Sequence, residues 1–73
     1  MRKSRPFYPV VGEVYKNRNG FRYRCIDSGK GYYTFISSVG WVFHVKDVSI
    51  YDDYCIDWAY SYGGYFDSVF RWK

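Results

Sequence analysis

Leucine and glutamine are absent from this 73-residue chain, and alanine and glutamate occur once each, as Ala59 and Glu13. These four residue types fill stable helices, because they lose little side-chain freedom there. Their scarcity excludes a helical bundle or a coiled coil. Histidine is scarce as well: His44 is the only one, and the two cysteines, Cys25 and Cys55, form no CxxC spacing. No metal centre and no cofactor are therefore expected. No apolar run approaches the roughly 20 residues of a membrane-spanning helix. The opening MRKSRPFYPVVGE has no signal-peptide apolar stretch. The chain reads as soluble and cytoplasmic, away from membranes, with reduced structural thiols; a Cys25–Cys55 disulfide is the alternative.

What the chain has in quantity is aromatic residues: ten Tyr, six Phe and three Trp. Aromatic and β-branched side chains fit a pleated, half-buried surface. Each ring can bury on the order of 150–250 Å², so a few of them can replace the missing leucines of a small core. The length allows one domain. Residues 1–11 read as a basic, extended arm with two prolines. From Gly12 onward, strand-like runs alternate with turn signals: 12–16, 21–27, 32–38, 41–45 and 55–60, with 48–50 as a short strand or one helical turn. Asn19-Gly20 is the strongest hairpin signal, and Gly63-Gly64 is expected to break the last run. The expected fold is all-β: a small five-stranded antiparallel barrel of the SH3-like type over 12–73, with an OB-like barrel second.

The turns suggest a register. With Gly29-Lys30 at one tip and Val39-Gly40 at the next, Cys25 faces Thr34 and Ile36 faces Phe43. One sheet face then carries Phe21, Tyr23, Cys25, Thr34, Ile36, Trp41, Phe43 and Val45. The opposite face carries Arg22, Arg24, Tyr33, Phe35, His44 and Lys46. A slip of one residue exchanges the faces of a strand.

Charge is polarised. Residues 1–36 hold eight Lys or Arg against two acids, net +6; residues 37–73 hold three against five, net −2. Cations beside aromatic rings suit a polyanion with stackable bases, so Arg22, Arg24, Tyr33, Phe35, His44 and Lys46 form a candidate nucleic-acid-binding face. Coverage of Tyr33 and Phe35 by the rest of the chain is the competing explanation. The acidic, tyrosine-rich stretch supplies a second candidate: Tyr51, Asp52, Asp53, Tyr54, Asp57 and Trp58 as a protein-binding surface. A solubilising edge over core aromatics would have the same composition. No Ser/His or Cys/His arrangement is evident, and the one glycine-rich turn, Gly29-Lys30-Gly31, is far from a phosphate-cradling loop. A non-enzymatic role follows.

Gly12-Glu13-Val14-Tyr15-Lys16, Asn19-Gly20-Phe21-Arg22-Tyr23-Arg24-Cys25-Ile26 and Ile56-Asp57-Trp58-Ala59-Tyr60-Ser61-Tyr62-Gly63-Gly64-Tyr65-Phe66 together resemble small phage and mobile-element proteins of Gram-positive bacteria. The resemblance implies a bacterial host cytoplasm and a protein that binds a host or defence component, as anti-CRISPR proteins do. It transfers no site residues. Two functions are thus expected: a nucleic-acid or nucleoprotein binder, or a phage-type inhibitor or adaptor of a host protein. Either is compatible with a monomer or a homodimer.

Overall fold

The computed structural model describes residues 3–67. Met1 and Arg2 of the expected arm, and residues 68–73, lie outside the described residues. The strands are β1 (Ser4–Pro6), β2 (Val14–Lys16), β3 (Arg22–Gly29), β4 (Tyr32–Ser37), β5 (Trp41–Tyr51) and β6 (Ile56–Phe66), with no helix among the described residues. They form one antiparallel sheet in the order β1-β5-β4-β3-β2, with β6 also paired to β5. The sheet curls into a half-barrel. A single parallel bridge between Asn17 and Ile56 brings the end of β2 to the start of β6.

The first hairpin forms where Asn19-Gly20 indicated. Gly20 takes φ 94, Asn17 N–H donates to Phe21 O, and the Asn17 and Asn19 side chains accept from the Asn19 and Phe21 amides. Asn side chains that close their own backbone in this way are the reason the pair marks a turn. Three expectations need correction. Residues 4–6 of the expected arm belong to the sheet: Ser4–Pro6 pairs with Ser49–Tyr51, and Phe7 N–H donates to Val48 O. Pro6 fits there because β1 is an edge strand and its missing N–H breaks no ladder. Gly63-Gly64 does not end β6, which runs on to Phe66 with Gly63 at φ 66. The third correction concerns β4.

β4 is turned over relative to the expected register. Cys25 pairs with Phe35, not Thr34, and Ile36 pairs with Val42, not Phe43. Two local features cause this. The β3–β4 tip is Lys30-Gly31, and the ladder then shifts by one residue between Cys25 and Asp27, leaving the exposed Ile26 as the extra residue of a bulge. The β4–β5 connection has three residues, Ser38, Val39 and Gly40, with Gly40 at φ 100. That is the three-residue hairpin loop whose last position favours glycine. Ser37 Oγ accepts from the Trp41 and Val39 amides and ties the loop down.

Because both changes apply to β4, β3 and β5 keep their expected faces and β4 alone is inverted. Phe35, expected outside, is 0% exposed at the centre of the core with Tyr23, Cys25, Val45, Val48, Ile50 and Ile56. Tyr33, also expected outside, packs against that cluster along with Phe7, Tyr15, Phe43 and Trp58. Thr34 and Ile36, expected in the core, are buried on the opposite side of the sheet. Trp58 stacks on Phe35 at 5.6 Å and 30°, and Tyr23 meets Phe43 and Trp58 edge-on at 5.5 and 5.3 Å. Such ring pairs add about 0.5–1.5 kcal/mol each beyond the area they bury. In β5, Asp47 takes φ 55 and the inward alternation changes across it, from Val45 to Val48 and Ile50.

Cys25 and Cys55 are both free thiols. Burial pushes the Cys25 thiol above its ordinary range, opposed by its contact with the Asp27 backbone and reinforced by the Asp27 charge. Burial likewise raises the Tyr33 phenol, followed by its proximity to Tyr8 and Cys25.

Two outcomes test this core. Phe35→Ala should cost about 3–5 kcal/mol in urea denaturation, the range for an aromatic removed from a core; an outward Phe35 would cost little. Both raised groups favour their neutral forms in the folded state. The stability they contribute is therefore complete below the ordinary thiol value and is lost as pH rises through the raised values. The urea midpoint should start to fall above roughly pH 8.5, and Cys25→Ala should move that onset up toward the tyrosine range.

Candidate nucleic-acid interface

Strand alternation decides what the convex face carries. With Tyr15, Tyr23 and Cys25 inward, β2 and β3 present Lys16, Arg22 and Arg24 outward, Lys16 directly opposite Arg22. One row of paired residues runs Val14, Arg24, Ile36, Val42 and Tyr65 across β2, β3, β4, β5 and β6. The next runs Asp27, Thr34, His44 and Tyr62. Lys46 pairs with Tyr60 beside it. Arg22, Arg24, His44 and Lys46 therefore do share one face. The expected row Arg24–Phe35–His44 does not form, since Phe35 and Tyr33 lie on the core side.

The rings missing from β4 are replaced by rings of β6. Tyr62 packs on His44 at 5.4 Å, Tyr32 meets the other side of His44 edge-on at 5.6 Å, and Lys46 Nζ lies 5.8 Å from the Tyr62 ring centre. His44 Nδ1 and Thr34 Oγ1 are 2.8 Å apart, which fixes the imidazole plane. Tyr60 and Tyr65 are more than half exposed. Gly29 faces Tyr32 across the hairpin, and any side chain at Gly29 would collide with the Tyr32 ring. Tyr60, Tyr62 and Tyr65 sit in the acidic, tyrosine-rich stretch that composition assigned to protein binding. A period-2 reading carried from β5 across to 60 and 62 was the available signal. Tyr65 joins them only because the β5–β6 ladder shifts by one residue between Val42 and His44, a bulge at Gly63-Gly64 that the assumed break hid.

Electrostatically the face is cationic. Lys16, Arg22, Arg24 and Lys46 stand on it against the single carboxylate of Asp27 in those rows. Arg24 also donates to Gly12 O at 3.3 Å, which holds its side chain along the sheet.

The second candidate set is divided. Tyr51, Asp52, Asp53 and Tyr54 form the β5–β6 tip, closed by Tyr51 N–H to Cys55 O, Tyr54 N–H to Tyr51 O and Cys55 N–H to Asp53 Oδ1. The Arg18 guanidinium sits 4.4 Å from the Tyr51 ring centre. Tyr54 is 76% exposed and holds φ 66, a conformation that costs a non-glycine residue on the order of 1–3 kcal/mol. Asp57 and Trp58 lie away from this tip: Asp57 Oδ1 accepts from the Trp58 amide, and the Trp58 ring points at Phe35.

The concave side opens at one end into an aromatic cleft of about 510 Å³, which residue-by-residue reading did not anticipate. Tyr23, Phe43, Trp58 and the buried Ser37 line its floor; Phe21, Val39 and Trp41 stand at its mouth with Ser61. Phe21 and Trp41, both expected in the core, are 54% and 50% exposed. Among the described residues no group of three His, Cys, Asp or Glu side chains could hold a metal ion.

Thr34→Val should remove the hydroxyl that orients His44. A loss of about 1 kcal/mol is expected for the bond, together with a changed imidazole environment in NMR spectra of the His44 ring.

Comparison with protein-family models, with curated proteins and with solved structures finds no match for the chain.

Proposed function

We propose that this protein is a non-enzymatic binding module that takes single-stranded nucleic acid on its convex face. The observation that carries the reading is the co-facial arrangement of Lys16, Arg22, Arg24 and Lys46 with Tyr60, Tyr62 and Tyr65. Cations neutralise phosphates and release counterions, a contribution independent of sequence. Exposed tyrosine rings offer faces to unpaired bases, each stack being worth about 1–3 kcal/mol. A duplex would shield its bases from those rings, so the arrangement favours a single strand. His44, held between Tyr32 and Tyr62, stiffens the tyrosine side of the surface.

A second reading has its own support. The tip Tyr51–Tyr54 presents an exposed tyrosine in a strained backbone conformation next to Asp52 and Asp53, and strain of this kind concentrates at functional positions. It suits a phage-type inhibitor or adaptor that contacts a basic surface of a host protein. In that case Tyr54→Gly relieves the strain, keeps the fold and abolishes capture of the partner.

Fluorescence titration with an oligothymidylate across a salt series tests the first reading. Four neutralised phosphates predict a slope of log affinity against log salt of about −3, from roughly 0.7 per phosphate on a single strand. Arg22→Ala and Lys46→Ala should each reduce the slope by about 0.7 while leaving thermal stability unchanged. Full binding by an Arg22→Ala/Arg24→Ala double variant would overturn the proposal.

A further inference from the structure

We infer that the aromatic cleft on the concave side is a nucleobase subsite, filled by one base of the strand whose phosphates lie on the cationic face; this rests on the reading above. The cleft and the cations meet at one rim of the sheet. Phe21 immediately precedes Arg22, the first residue of β3, and along an extended chain neighbouring side chains project to opposite faces. The ring therefore stands at the cleft mouth while the guanidinium, opposite Lys16, stands just over the edge. Trp41 and Val42 repeat the pattern on β5, with Trp41 at the mouth and Val42 outward. A strand that crosses this rim keeps a phosphate near Arg22 and Lys16 as its base turns inward.

The chemistry of the cleft selects a flat, uncharged ring. No charged residue lines it. The floor rings are already braced against one another, Phe43 lying 5.5 Å from Trp58 and Tyr23 crossing both. The Trp41 ring is braced from outside by Phe66 at 5.7 Å. A ligand therefore meets preorganised ring surfaces, which lowers the ordering cost of binding. Peptide backbone would need several hydrogen-bond partners, and the cleft has few to offer. Ser37 Oγ already accepts from two loop amides, and the Tyr23 hydroxyl accepts from Asn19 Nδ2 at 3.3 Å. The Ser61 hydroxyl, facing the same space, can bond one polar edge of a base.

The test compares a twelve-residue oligothymidylate with an abasic oligomer of the same length and charge, using the full chain. Trp41→Ala should weaken the oligothymidylate about ten-fold, the equivalent of one stack, and leave abasic binding unchanged. Phe21→Ala should do the same. Both side chains are half exposed, so thermal unfolding should stay close to that of the parent. Tyr62→Ala, on the other face, should preserve the Trp41 effect.

If Trp41→Ala leaves the oligothymidylate affinity unchanged while that affinity remains salt-dependent, the subsite is overturned and the cationic face stands. If neither oligomer binds, both readings fall. A response to a proline-rich peptide that Trp41→Ala abolishes, with none to the oligothymidylate, would make the cleft a protein site and overturn the inference.

Discussion

The inversion of β4 is the constraint on which the rest of the structure depends. The bulge at Ile26 and the three-residue loop Ser38–Gly40 each displace the ladder by one residue from the simplest hairpin pairing. Their combined effect drives Phe35 into the centre of the half-barrel, where it contacts Tyr15, Tyr23 and Trp58. Without leucine, a core of this size needs a large ring at its centre to bury enough area. Reversing either feature alone would put β4 out of step with one of its two neighbours, so that Phe35 could no longer share a face with the inward residues of both β3 and β5.

The same inversion sets the character of the two faces. With Phe35 and Tyr33 withdrawn, the outward side of β4 offers Tyr32, which packs on His44, and the buried Thr34 and Ile36. The exposed rings of the convex face come instead from β6, whose Tyr60, Tyr62 and Tyr65 lie beside the cations of β2, β3 and β5. On the concave side, the rings nearest the sheet end are too few to close the half-barrel, and Phe21 and Trp41 border an open cleft. Core formation, tyrosine display and the cleft thus follow from one register.

Much of the fold was legible. The composition excluded helices, the strands β2 to β5 begin close to where the patterns place them, and Asn19-Gly20 marks its hairpin by closing its own backbone. The clustering of Arg22, Arg24, His44 and Lys46 on one face also emerged from alternation, because β3 and β5 kept their expected orientation. What escaped has physical reasons. Ile26 looks like any apolar strand residue, and only the cross-strand ladder shows it to be extra. Gly63-Gly64 resembles a break, yet pairing with the long β5 carries β6 through it. The proline-bearing stretch at 4–6 has no strand signature of its own, and its pairing exists only because β5 leaves an edge open at 49–51.

The sequence by itself determined the class of the protein: an all-β chain with an aromatic core, a cationic first half and an acidic tip. Those properties are additive over residues, so order and packing hardly affect them. Tertiary structure alone decided which rings are core and which are displayed. That choice depends on cross-strand register, in which a single extra residue exchanges inside for outside. Trp58 and Phe35 became core, Tyr62 joined His44 and Lys46, and the cleft arose between strands distant in the chain, where no local pattern could announce it.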